Sequence, residues 1–136
     1  MGIKEPVVNI PEKLAPSPFT RANPDILLRP FFSFQYLHRK RHVSLLEESQ
    51  QAELAKRLCE LSELTWQELR EAGRHGLGYE IIHKDLHFEL PSNVKGETIL
   101  AFRYCGKLAM VGFREKNVFH IIGLDKDFAP NSCYDH

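Results

Sequence analysis

The sequence predicts a single α+β domain in which a strand and a helical hairpin precede an antiparallel β-meander, with the helices on one face of the sheet. Three observations lead to this prediction. The chain has 136 residues, a length that suits one domain. Two helix-start signals follow one another between residues 44 and 68. From residue 99 onwards, three segments rich in β-branched and aromatic residues are separated by short turns.

Residues 1–30 are predicted to form a proline-rich arm ahead of the single domain of residues 31–136. They hold six of the eight prolines of the chain. Proline fixes φ and removes an amide donor, which excludes long helices and central strands here. The arm is expected either to bind a partner or to wrap around its own domain.

Two capping patterns define the predicted helical hairpin. Ser44 and Glu47 have the spacing of a capping box, so the first helix is expected to begin there. Thr65 and Glu68 repeat that spacing, so the first helix should break before Thr65 and a second should follow it. Gly73 is well placed to end the second helix as a left-handed C-cap.

The strands are predicted from alternation and from turn residues. They are expected at residues 31–37, 79–84, 99–104, 108–114 and 118–125. Gly106 and Lys107 form the centre of a type II′ hairpin turn, because glycine suits the first central position.

A two-residue turn at this point places Arg103 opposite Met110. Arg103 and Arg114 then share one face of the sheet, since side chains alternate along a strand. We expect this face to be uncovered by the helices. Two guanidinium groups there could bind phosphates through forked hydrogen bonds, although exposed arginines are also common on ordinary sheet surfaces.

Two histidines are candidates for proton transfer. A three-residue loop at 116–118 places His120 opposite Arg114, on the basic face, whereas a two-residue loop at 116–117 places it opposite Phe113, in the interior. His75 follows the second helix in a glycine-rich loop. It could act as a general base, or it could interact with the end of the helix electrostatically.

The charge is unevenly spread although the net charge is zero. The stretch around Arg39, Lys40 and Arg41 is basic, residues 44–72 are acidic, and residues 95–116 are basic again. This pattern fits a polyanionic partner or an acidic regulator, and it equally fits a salt-bridged surface.

Several classes of protein are disfavoured. The three cysteines show no C-x-x-C spacing, which argues against a disulfide framework or a thiolate zinc site and fits a reducing cytoplasm. No apolar run approaches the roughly 20 residues of a membrane helix, and the N-terminus lacks the apolar core of a signal peptide. We therefore expect a cytoplasmic protein. No cofactor motif is present. His83, Asp85, His87 and His120 could in principle bind a metal, but neither a metal nor a cofactor is expected.

The order of the predicted elements, together with the segment KLAMVGFREKNVFHIIGLD at residues 107–125, resembles the RelE/ParE toxin superfamily. The resemblance covers roughly residues 31–134. It implies a toxin that cleaves messenger RNA, often on the ribosome, through attack of a 2′-hydroxyl on the adjacent phosphate. Its implied partners are RNA or the ribosome and a cognate antitoxin.

The resemblance also implies roles for particular residues. Arg103 and Arg114 would stabilise the charge of the transition state, and His120 or His75 would carry the proton. Lys107, Lys116 and Tyr134 would support them. The predicted nucleic-acid contacts are Arg39, Lys40, Arg41, Lys107 and Lys116. The chain departs from the superfamily in its proline-rich arm, in its neutral net charge and in the long loop at 85–98. A non-catalytic binding module on the same scaffold is therefore the alternative.

Overall fold

The computed structural model describes residues 24–73, 76–129 and 131–136. Its elements in chain order are β1 (Phe31–Ser33), α1 (Glu48–Leu61), α2 (Trp66–Ala72), β2 (Tyr79–Ile82), β3 (Ile99–Cys105), β4 (Leu108–Glu115) and β5 (Val118–Leu124). The strands form one sheet of order β1-β5-β4-β3-β2. The strands from β2 to β5 are an antiparallel meander, and β1 joins it parallel to β5. The predicted α+β class, with helices packed on a sheet, is confirmed.

The start of α1 differs from the prediction. Ser44 lies in a short 3₁₀ turn, where its amide donates to Nδ1 of His42 at 3.1 Å. The helix instead begins at Glu48, and the amide of Glu47 donates to Oε1 of Gln50 at 2.9 Å. The predicted start at Ser44 is wrong because the serine amide donates a hydrogen bond to the histidine two residues earlier.

The start of α2 follows the predicted capping box. The amide of Glu68 donates to Oγ1 of Thr65 at 3.2 Å, and the amide of Thr65 donates to Oε1 of Glu68 at 2.9 Å. Gly73 ends the helix with a φ of 70°, the positive value that the prediction required, although its ψ of 175° lies outside the left-handed helical region.

Both faces of the sheet are buried. The helices cover one face, where the core includes Leu54, Leu61, Trp66, Phe102 and Phe119. The other face was expected to be uncovered, but it carries a second core under the loop after β2 and the chain after β5. That second core comprises Val94, Ile99, Ala101, Ala109, Val111, Phe113, Ile122, Cys133 and Tyr134.

The predicted register between β3 and β4 is wrong by one residue. Gly106 has the positive φ, 59°, that the tight turn needs. However, a bulge between Arg103 and Cys105 pairs Arg103 with Ala109, not with Met110. Tyr104 is the extra residue, and its side chain is buried in the core on the helix side. Since Phe102 now pairs with Met110, Arg103 lies on the opposite face from Arg114.

The described end of the predicted arm contacts α2. The backbone amide of Trp66 donates to the carbonyl of Leu28 at 3.0 Å, and Ile26 packs against the core on the helix side. Residues 1–23 lie outside the described residues. Among the helices that the structure describes, none is long and apolar enough to cross a membrane.

Candidate functional site

An open cleft of about 590 Å³ lies over β2, β3 and β4, on the face away from the helices. The chain after β5 forms one of its walls. Its charged and polar lining includes Lys84, Arg103, Lys107, Tyr134 and His136. Titratable groups and cations therefore meet on one concave surface, the usual setting of a binding or catalytic site.

The most unusual group next to this cleft is Asp125, whose side chain is 0% exposed and contacts His136 of the lining. It directly follows β5. One carboxylate oxygen, Oδ2, accepts from the amide of Ala109 at 2.9 Å and faces Nε2 of His136 at 2.8 Å. The other, Oδ1, accepts from the amide of Cys133 at 2.7 Å. A buried carboxylate that is fully hydrogen-bonded in this way holds its partners in fixed positions.

The contact with the carboxylate favours one tautomer of the neutral His136 ring. An ionised carboxylate only accepts hydrogen bonds, so Nε2 of His136 must carry a proton. In the neutral ring, Nδ1 is then the basic nitrogen, and no described residue hydrogen-bonds to it. The ring stacks on Tyr134, with centroids 4.4 Å apart and planes at 12°. A carboxylate that orients an imidazole is the arrangement of a general base.

Three cations line the cleft beside this pair. They are Lys84, Arg103 and Lys107. Lys84 donates to the carbonyl of Asp135 at 3.0 Å. The acids in the lining are Glu80 and Asp135, and the carboxylate of Asp135 is paired with His87 at 3.0 Å. Three cations thus face two carboxylates in the lining, and the buried carboxylate of Asp125 is a third acid nearby. An anionic ligand would be held by the individual cations and not by a net positive charge.

Tyr134 is a neutral hydrogen-bond donor in the cleft. Burial raises the pKa of its phenol above the usual value, and the nearby carboxylates of Glu80 and Asp125 raise that pKa further. Its hydroxyl donates to Oε1 of Glu80 at 3.4 Å. The phenol therefore keeps its proton at neutral pH.

Two buried tyrosines and one buried cysteine should make the folded domain less stable at alkaline pH. Burial raises the pKa of Tyr104, Cys133 and Tyr134 above their ordinary values of 10.0, 9.0 and 10.0. Above those values the unfolded chain loses protons that the folded chain keeps, so rising pH favours unfolding. We expect the free energy of unfolding to fall by about 1.4 kcal/mol per pH unit for each group.

Urea titrations at increasing pH measure this slope. Tyr134→Phe removes one of the three groups, so its slope should be shallower than that of the wild type by about 1.4 kcal/mol per pH unit. Equal slopes for the two proteins would contradict the assignment.

Arg114 does not reach the cleft. Its guanidinium lies over the ring of Trp66, 5.0 Å from the centroid, and its Nε donates to the carbonyl of Lys116 at 2.6 Å. The predicted pairing of Arg103 and Arg114 on one face is therefore wrong, because the bulge in β3 shifts the two strands by one residue.

His120 lies inside the domain, away from the cleft. It pairs with Phe113 across β4 and β5, as the two-residue loop required, and its ring stacks on that of Phe113 at 4.9 Å. Its Nδ1 is 2.9 Å from Oγ of Ser33 and its Nε2 is 3.0 Å from Oε1 of Glu115. Both ring nitrogens are thus occupied by structural partners. His75 lies outside the described residues.

Of the predicted nucleic-acid contacts, only Lys107 lines the cleft. Arg39 and Lys40 are exposed in a 3₁₀ turn. In the same turn, Arg41 lies over the Phe88 ring, 5.7 Å from its centroid. Lys116 is exposed in the turn between β4 and β5, with a φ of 57°.

Sequence reasoning missed Asp125 and His136 as members of the site. Asp125 directly follows the apolar end of β5, and this apolar neighbourhood is the one signal of its burial in the sequence. Nothing in the sequence links it to His136. Tyr134 was predicted only as a supporting residue, and Lys107 as a supporting residue and a nucleic-acid contact.

The described residues contain no group of three or more His, Cys, Asp or Glu side chains arranged to hold a metal ion. The histidines considered for such a site lie apart. His87 pairs with Asp135, and His120 is buried against Phe113. The cleft itself presents imidazole, phenol and cationic groups. In comparison with known proteins, the chain matches no family model, and no curated protein or solved structure is significantly similar to it.

Proposed function

We propose that this chain is an RNA-cleaving toxin of the RelE/ParE kind, and that it cleaves its substrate in the cleft beside Asp125 and His136. One observation carries the proposal: a histidine oriented by a fully buried carboxylate shares a concave surface with Arg103 and Lys107. This combination supplies a proton acceptor and cations for a phosphate. It differs from the residue set implied by the resemblance, in which Arg114 and His120 took part.

His136, Arg103 and Lys107 each have one role in the proposed reaction. Nδ1 of His136 accepts the proton of a ribose 2′-hydroxyl, and the oxygen attacks the adjacent phosphorus. A P–O2′ bond forms and the P–O5′ bond breaks. The leaving oxygen takes a proton from water in the open cleft, which leaves a 2′,3′-cyclic phosphate and a 5′-hydroxyl end. Arg103 and Lys107 offset the extra negative charge of the pentavalent transition state.

The reaction restricts the substrate and the partners. DNA lacks the attacking 2′-hydroxyl, so it would bind without being cleaved. Cellular RNA, free or on the ribosome, is the substrate class, which corresponds to a cytoplasmic location. A neutralising antitoxin would need to cover the cations of the cleft, and an acidic segment has the complementary charge.

The test compares two arginines on opposite faces of one sheet. Arg103→Gln is expected to lower RNA cleavage by about 10²–10³-fold, because it removes a charged donor to the phosphate. Arg114→Gln removes the same charge on the helix side and should leave the cleavage rate within about threefold of wild type. Cleavage of purified RNA, with and without ribosomes, and mapping of transcript ends after controlled expression provide the measurements.

The two variants also separate the proposal from its alternative. Equal losses in both variants, or a loss in Arg114→Gln alone, would remove the cleft from the mechanism. If the wild type binds RNA but cleaves none in any of these assays, the chain is a binding module and not a nuclease.

A further inference from the structure

A second, smaller pocket of about 290 Å³ lies between the 3₁₀ turn at Arg39–Arg41 and the chain that follows β5. Its charged lining consists of Lys40, Arg41, Lys126 and Asp127. Three cations therefore face one carboxylate. That carboxylate is partly used, since Oδ1 of Asp127 accepts from the amide of Phe128 at 2.8 Å.

The cations of this pocket lack acidic partners. Among the described residues, no carboxylate lies within ion-pair distance of Lys40, Arg41 or Lys126. Arg41 donates to two carbonyl oxygens, those of Lys40 at 3.0 Å and Ser132 at 3.4 Å, and its Nε is buried without a partner. A guanidinium has five donors, and burying one of them unsatisfied is unfavourable. The pocket thus presents uncompensated positive charge to solvent.

The pocket and the cleft share a wall. Lys126 and Asp127 line the pocket, whereas Phe128 and His136 line the cleft. Phe128 is 47% exposed, although its ring is large and apolar. Ser132, which accepts from Arg41, precedes His136 by four residues, so their Cα atoms are at most about 14 Å apart. A few nucleotides of an extended strand span this distance.

We propose that the second pocket binds a phosphate of the same RNA strand, a few nucleotides from the phosphate that is cleaved. The inference rests on the proposed function, because it extends the path of that substrate. Lys40, Arg41 and Lys126 hold the distant phosphate. The exposed ring of Phe128, on the wall between the two sites, offers a surface on which a base can stack.

The test uses substrates of two lengths. The double variant Lys40→Gln/Lys126→Gln is expected to bind a short single-stranded oligoribonucleotide about tenfold more weakly than wild type. The oligonucleotide carries 2′-O-methyl groups, so it cannot be cleaved. Because the pocket binds one phosphate, its loss should also reduce the magnitude of the slope of log K against log salt by about 0.7. A dinucleotide is too short to reach the pocket, so its cleavage should not change.

The matched control is Lys56→Gln/Lys95→Gln, which removes the same charge from exposed lysines that line neither site. If both double variants lose the same affinity and the same salt slope, general charge and not the pocket is responsible, and the inference is overturned. A dinucleotide that responds as strongly as the oligonucleotide would overturn it as well.

Failure of the pocket and failure of the nuclease give different results. If the wild type cleaves RNA while the pocket variant matches its control, the pocket is wrong and the proposed function stands. If pocket-dependent binding appears without any cleavage, the pocket stands and the nuclease is wrong.

Discussion

Replacing His136 by Gln is expected to lower the rate of RNA cleavage by about 10²–10⁴-fold, the usual contribution of general acid–base catalysis. The amide of glutamine can still donate to Oδ2 of Asp125, the oxygen that His136 contacts at 2.8 Å. It cannot accept a proton from a 2′-hydroxyl near neutral pH. The loss should therefore appear mainly in kcat, while the affinity for uncleavable RNA changes little.

Single-turnover cleavage of a labelled oligoribonucleotide measures this rate. His120→Gln is the control, since both ring nitrogens of His120 contact structural partners, Ser33 and Glu115, outside the cleft. It should lower the thermal stability and leave the cleavage rate close to that of the wild type. An unchanged rate in His136→Gln, with the fold intact, would exclude His136 as the base.

The largest effect on stability is expected for Asp125→Ala, with a loss of roughly 4 kcal/mol in the free energy of unfolding. The substitution leaves the buried amides of Ala109 and Cys133 without an acceptor. Each orphaned donor costs about 1–3 kcal/mol, and the carboxylate contact to His136 is lost in addition.

Urea unfolding followed by circular dichroism measures this loss. Asp127→Ala is the matched control, because Asp127 is exposed and, among the residues that the structure describes, accepts only from the amide of the next residue. Its effect should stay within about 0.5 kcal/mol. A loss of similar size in both variants would show that the buried hydrogen bonds of Asp125 do not hold the chain after β5 in place.

Local signals predicted much of the fold. The capping box of Thr65 and Glu68, the positive φ of Gly73 and the glycine of the β3–β4 turn all depend on neighbouring residues, and all are confirmed. The start of α1 was missed because His42 competes with the expected cap. The cover over the second face was missed because the loop after β2 and the chain after β5 show no periodicity.

The site was less predictable than the fold. Arg103, Lys107 and Tyr134 could be named as candidates from residue type and position, and they do line one cleft. The sequence could not show that Asp125 and His136 are in contact, since they are eleven positions apart in irregular chain. The face of Arg103 depended on a bulge, which no residue in the β3–β4 hairpin signals clearly.

Because of that bulge, β3 has one residue more than β4 between the turn and the pair Arg103–Ala109, and that residue is Tyr104. Deleting Tyr104 would restore regular pairing near the turn and remove the hydroxyl that donates to the carbonyl of Asp125. The pairs Arg103–Ala109 and Cys105–Leu108 would then follow one another without a bulge, so Arg103 would keep its face. A related chain without Tyr104 could therefore present the same charged side chains to the same neighbours and lose only the buried contact to Asp125.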